Sequence, residues 1–228
     1  MHGFKRDKTE LSFYEQRLKT VHAHYRPDFT GYGNRGQITH EASFNEAMTY
    51  SGQAVKHATE FRDAWQTFQQ TLPKSAHFID LGCGIGMTPA ILKDEGVEVL
   101  SYQGFDHNEH MVFIAQRLNL EANIQTDLRE LNAIDGECVV LMNHVFGQED
   151  VNENVLNTWC EQLERIASAG FTFISIEIPT FSRCMTNRQK FRDILDGSVF
   201  TIRSCESAET LGRDGGNKST VIWNVVNG

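Results

Sequence analysis

The stretch FIDLGCGIGMTP, residues 78–89, decides how this chain is read. Ahead of it, Ala76-His77-Phe78-Ile79 is a short apolar run between Pro73 and a glycine cluster, the pattern of a buried strand. Asp80 follows, then Gly82, Gly84 and Gly86 at every second position, and Met87 to Glu95 has helical character. Glycine takes backbone angles closed to other residues and lets a ligand approach the main chain. Strand, glycine turn and helix N-terminus together make a nucleotide-binding edge of an α/β sheet.

Outward from that stretch, strands and helices alternate. Strand-like runs fall at 76–81, 98–105, 137–143, 170–177, 198–205 and 219–226, with a short one near 123–126. Helical segments lie near 87–95, 108–119, 151–168 and 185–196. Such alternation predicts a parallel sheet with helices on both faces. The last two runs, SVFTIRSC and STVIWNVV, are joined by ESAETLGRDGGNK, which has no helical stripe. They predict an antiparallel pair closing the sheet.

Residues 1–73 form a helical extension ahead of a domain at 74–228. Leu11, Tyr14, Leu18 and Val21 make one apolar stripe, and Phe44, Met48, Val55, Ala58, Phe61, Trp65, Phe68 and Leu72 make another. Gly52 is a point where the second helix can break, and Pro73 ends it. Between the stripes, RPDFTGYGNRGQITH (26–40) reads as a loop, with GYGNRG suited to a moving lid. Tyr25, Tyr32, Arg35, His40 and Tyr50 are candidates to line an entrance on the substrate side.

The 228 residues are 40% hydrophobic and 22% charged, ordinary for a soluble domain, and no run approaches the ~20 apolar residues of a membrane span. The N-terminus MHGFKRDKTE is too polar for a secretory signal. Cys83, Cys138, Cys160, Cys184 and Cys205 contain no CxxC pair, the usage expected of reduced thiols in a cytoplasmic protein. Nine histidines notwithstanding, no ligand spacing suggests a metal: His22 and His24, two apart on a helix, point different ways. The net charge of −9 sits mainly after residue 72, which disfavours nonspecific attraction to nucleic acid. Arg183, Arg188, Lys190 and Arg192 are a local exception, most simply a solvated helix face.

Taken together, residues 76–226 resemble the class I S-adenosylmethionine-dependent methyltransferases, with their Rossmann-like, doubly wound, mostly parallel seven-stranded sheet and antiparallel terminal hairpin. That family has an acid and GxGxG after the first strand, here Asp80, Gly82, Cys83, Gly84 and Gly86. A second acid ends the second strand, here Asp106 of GFDHNEHM, and a third polar position is Thr126-Asp127-Leu128. NAD-binding turns instead space their glycines GxGxxG. The resemblance implies that S-adenosylmethionine is the cofactor. Asp80 organises the loop and the cofactor's ammonium, and Asp106 accepts from the ribose hydroxyls. Asp127 accepts from the adenine amino group beside the Leu128 backbone, with His107 and Met111 flanking the ring. On its own sequence, Asp127 before LREL is equally a helix cap.

The same resemblance implies that the fourth strand runs into the active site, where it would deliver Asn143 and His144, and His144 is the candidate base because imidazole titrates near neutrality. The NPPY-type loop of amino-directed DNA methyltransferases is absent. Glu177 and Pro179 bear a faint resemblance to ribosome-associated methyltransferase-like proteins, without that subgroup's cysteine cluster. A small-molecule or compact protein acceptor is expected. The alternatives are an RNA methyltransferase using Arg183 to Arg192 and a non-catalytic cofactor-binding assembly factor or sensor.

Overall fold

A computed structural model describes residues 10–28, 34–211 and 217–228. The strands are β1 (Ser75–Leu81), β2 (Glu98–Phe105), β3 (Asn123–Gln125), β4 (Cys138–Asn143), β5 (Gly170–Glu177), β6 (Phe200–Leu211) and β7 (Asn217–Asn227). The helices are α1 (Glu10–His24), α2 (Asn34–Phe68), α3 (Thr88–Asp94), α4 (Glu109–Leu118), α5 (Glu153–Ile166) and α6 (Ser182–Asp196). Among the described residues one sheet has the order β3-β2-β1-β4-β5-β7-β6. The first five pair in parallel, and β7 runs antiparallel to both β5 and β6. This is the doubly wound sheet with a terminal hairpin that the alternation of elements predicts.

Strand periodicity of two sorts the apolar residues into two layers. Phe78 of β1 and Val139 and Leu141 of β4 face α1 to α4, packing with Tyr14, Leu18, Phe61, Trp65 and Ile91. Their neighbours Ile79, Val140 and Met142 face α5 and α6, against Leu156, Trp159 and Phe191. Fully burying side chains of this size contributes roughly 1.5–3 kcal/mol each. The extension is therefore fastened to the sheet through the same apolar layer as α3 and α4.

Polar clasps fix the same attachment. Asp94 of α3 accepts from the Glu10 N–H at 2.7 Å, at the positive end of α1. It also accepts from Arg62 of α2 at 3.0 Å, while the Arg62 Nε pairs with Glu95 at 2.9 Å.

Three sequence expectations are corrected. The loop expected over 26–40 turns helical at Asn34, and α2 runs through Gly52 without a break. A single glycine costs a helix only about 1 kcal/mol, which the packing of Phe61, Trp65 and Phe68 offsets. The connection expected over 206–218 is mostly strand, because β6 continues to Leu211 and β7 begins at Asn217. Tyr32 and half of the proposed lid, residues 31–33, lie outside the described residues, as does the side chain of Arg35.

Candidate functional site

Strands β1, β2 and β4 end side by side, so the loops leaving them share one edge of the sheet. Leaving β1, the Gly82 and Cys83 N–H groups both donate to the Phe105 carbonyl of β2, at 2.8 and 2.9 Å. Gly84 has φ 53, and a Cβ there would stand 2.6 Å from Tyr50 Cε1. Both the left-handed backbone and the close approach require glycine at this position.

Two buried carboxylates organise the loop. Asp106, at the end of β2, accepts from the Gly84 N–H with Oδ2 and from the Asn108 N–H with Oδ1, each at 2.9 Å. Burial raises its carboxyl above the ordinary value, against the pull of those N–H groups and His107. Asp80 accepts from Thr88 Oγ1 at 2.7 Å and from Tyr102 Oη at 2.8 Å, both on Oδ2. Its carboxyl is pushed from 3.8 up to about 6, first by burial, with the two hydroxyls opposing and Asp106 adding.

From below, Tyr14 of α1 donates to the carbonyls of Ile85 and Gly86, and Asn119 donates to the Tyr14 hydroxyl and to Gly86. The glycine turn is thereby tied to the extension. Sequence reading assigned Tyr14 only to an apolar stripe; its buried phenol, with a pKa raised chiefly by burial, shows a second task.

The exit of β4 forms the opposite wall. His144 has φ 58, a conformation uncommon for a residue with a side chain. Its N–H donates to the Ile176 carbonyl at 2.9 Å, and the next two N–H groups, of Val145 and Phe146, both donate to Glu177 Oε1 at 3.0 Å. Glu177 is buried, and burial raises its carboxyl against those N–H groups and His144. His144 Nε2 stands 3.2 Å from Glu60 Oε2 of α2, and Lys218 Nζ of β7 stands 3.5 Å from Glu60 Oε1. Neither Glu60 nor Lys218 was singled out by sequence, since nothing local distinguishes them from surface charges.

Asp80, Gly82, Cys83, Asn143 and His144 line one cavity together with Tyr50. Its free space is about 50 Å³, enough for a few waters. Tyr50 packs its ring on Gly84, and its phenol is raised by burial and then by Asp106 and Asp80. The donor and acceptor set fits S-adenosylmethionine. Each Asp106 oxygen spends one lone pair on a backbone N–H and keeps another for a hydroxyl. The face of Gly84 that such a ligand would cross is covered by Tyr50.

Other predicted residues fall elsewhere. Met111 and Leu128 are buried, while His107 and Thr126 are exposed. Asp127 caps a single helical turn, Leu128–Glu130, with Oδ1 accepting from the Arg129 N–H and Nε at 2.9 Å and Oδ2 from Arg129 Nη2 at 2.5 Å. Arg129 pulls its carboxyl down to about 2. An adenine amino group would have to share that carboxylate with Arg129. His40, Glu109 and His110 bring one ligand atom each within 4.8 Å of one another, an association that sequence spacing did not anticipate. None of the three lines the cavity. Tyr25 reaches the same corner, its hydroxyl 2.5 Å from His110 Nδ1.

The basic cluster is not one exposed stripe. Arg183 and Lys190 are exposed and Arg192 is half-buried, but Arg188 is 5% exposed. Arg188 is turned inward to donate to the Ser219 carbonyl at 3.0 Å and hydroxyl at 2.8 Å. No helix among the described residues is long and apolar enough to cross a membrane.

No protein-family profile matches the chain. Its sequence is 29% identical over 102 residues to "Putative methyltransferase YqeM" of Bacillus subtilis, covering 40% of each chain. The matched part is thus well under half of that relative. A S-adenosylmethionine-dependent methyltransferase from Methanosarcina mazei has TM-score 0.52 and 13% identity over 71% of this chain and 96% of its own. One from Aquifex aeolicus has TM-score 0.51 and 16% identity over 72% and 89%. The fold is that of the class I S-adenosylmethionine-dependent methyltransferases.

Proposed function

We infer that the protein is a methyltransferase using S-adenosylmethionine, with a small molecule or a compact protein site as acceptor. One observation carries this reading: Asp106 and the glycine turn are joined through the Gly84 N–H at the edge where Asn143 and His144 also emerge. The named likeness to a methyltransferase over the matched residues points the same way. Bound S-adenosylmethionine supplies an electrophilic methyl group.

This chain's residues would do the rest. Asp106 accepts the ribose hydroxyls with its remaining lone pairs, and Asp80 fixes the turn through Thr88 and Tyr102. The backbone of Gly82, which lines the cavity, lets the ligand lie close to it, and at Gly84 the ligand takes the place of the Tyr50 ring. His144 and Asn143 face the reacting end, where His144 accepts the acceptor's proton, and α2 excludes water. Free cysteines, buried at Cys83, Cys138, Cys160 and Cys184 and exposed at Cys205, suit a cytoplasmic setting. Acidity of the body and the inward turn of Arg188 favour a small or protein acceptor over RNA.

Calorimetric titration of the protein with S-adenosylmethionine, S-adenosylhomocysteine and NAD, beside Asp106→Asn, tests this. Micromolar binding of the first two, weakened at least about tenfold in the variant by loss of a charge-assisted bond, is the expected result. Binding of NAD alone, or of none of the three, overturns it.

A further inference from the structure

Glu60, His144 and Lys218 come from α2, the exit of β4 and the start of β7, and they meet beside the cavity. Glu60 and Lys218 are 5% and 4% exposed. Withdrawing such charges from water costs several kcal/mol each, which opposite charges and hydrogen bonds offset. The ammonium of Lys218, 3.5 Å from Oε1, therefore favours Glu60 as the carboxylate.

An ionised carboxylate only accepts hydrogen bonds. His144 Nε2, 3.2 Å from Glu60 Oε2, must then be the protonated nitrogen, which puts the lone pair of the neutral ring on Nδ1. The ring is presented by a backbone at φ 58, and Glu177 holds the turn behind it by accepting from Val145 and Phe146. Strained backbone of this kind costs about 1–3 kcal/mol and gathers at functional sites. Two carboxylates, Glu60 and Glu177, thus bear on His144 from α2 and β5, with Tyr50 on the cavity wall and Lys218 behind Glu60.

We propose that Glu60 is a positioning residue: it holds the Nε2–H of His144 and makes Nδ1 the proton-accepting nitrogen, so that the N-terminal extension completes the active site. The chemistry rests on the methyl-transfer reading, but the geometry does not. In that chemistry the acceptor's N–H or O–H bond breaks and its proton moves to Nδ1. The lone pair of the same acceptor atom forms the bond to the methyl carbon, and the electron pair of the broken carbon–sulfur bond stays on sulfur. A positioned base of this kind supplies roughly 10²–10⁴-fold in rate.

The test needs neither acceptor nor cofactor. The full chain is labelled with ¹⁵N-histidine and its imidazole resonances are recorded at a pH where the ring is neutral, with His144→Gln assigning the signals. The expected result is a proton on His144 Nε2 that exchanges with solvent about tenfold more slowly than in Glu60→Met, as loss of a charge-assisted hydrogen bond implies. Glu60→Gln, which keeps an acceptor oxygen, restores part of the protection. A wild-type proton on Nδ1 overturns the proposal, and so does unchanged exchange in a folded Glu60→Met. If Glu60→Met does not fold, the wild-type tautomer and Glu60→Gln decide. Failure of the methyl-transfer reading would appear in the calorimetric titration and leave these spectra as they are.

Discussion

Asp80 is the residue whose cost to the fold can be worked out most directly. It is 3% exposed, and burial lifts its carboxyl from 3.8 to about 6 although Thr88 and Tyr102 both donate to it. Between those two values the folded chain holds a proton that the unfolded chain has released. The associated stabilisation is fully present below pH 3.8 and is lost as the pH rises through about 6. At ~1.4 kcal/mol for each tenfold in proton affinity, the loss is about 3 kcal/mol. Asp80→Asn keeps an oxygen that can accept both hydroxyls, since both now reach the same oxygen. It is expected to stabilise the cofactor-free protein above pH 7 by ~1–3 kcal/mol, part of the gain going to find a partner for the amide NH₂. Below the ordinary carboxyl range it should bring no gain. Urea unfolding followed by circular dichroism across pH, with the two proteins compared at each point, measures this. Asp106 and Glu177, also raised by burial, slope the wild-type profile in the same direction, and the comparison cancels them. A variant less stable than wild type above pH 7, or one more stable by the same amount at every pH, would refute the reasoning.

Two further outcomes follow from the glycine turn. Gly84→Ala should lose ~1–2 kcal/mol for the left-handed backbone and more for displacing the Tyr50 ring, 2.6 Å from the new Cβ. In a double-mutant cycle by urea unfolding, Tyr50→Ala should recover the second part and leave the first. Tyr14→Phe removes the hydroxyl that donates to the Ile85 and Gly86 carbonyls and accepts from Asn119. It should cost about 1–3 kcal/mol in the same assay. A cost near zero would mean that the extension does not hold the turn.

How far the sequence carries depends on whether a feature is local. The β1 run, the glycines with φ between 53 and 81, Asp80 and Asp106 were legible because a strand end, a tight turn and a carboxylate two residues before a helix cap are short-range patterns. The parallel body and the antiparallel ending of the sheet followed from alternation, since a parallel crossover needs a helix and an antiparallel pair does not; the strand order came only from the structure. Gly52 misled because a lone glycine weakens a helix by less than the tertiary packing of α2 returns. Asp127 stayed ambiguous because cap and ligand acceptor use the same carboxylate, and its geometry with Arg129 realises the cap.

By itself the sequence determined the doubly wound class, through the alternation of elements over residues 76–226, and the glycine turn with the two acids beside it, all between Ala76 and Asp106. Only the tertiary structure decided that Tyr14 anchors the turn, that Tyr50 covers Gly84, that Arg188 faces inward, and that half-buried His144 meets the buried Glu60, itself beside buried Lys218. Those contacts join residues far apart in the chain, and a side chain's charge or ring says nothing of its partner until packing has set the distance and removed the water between them.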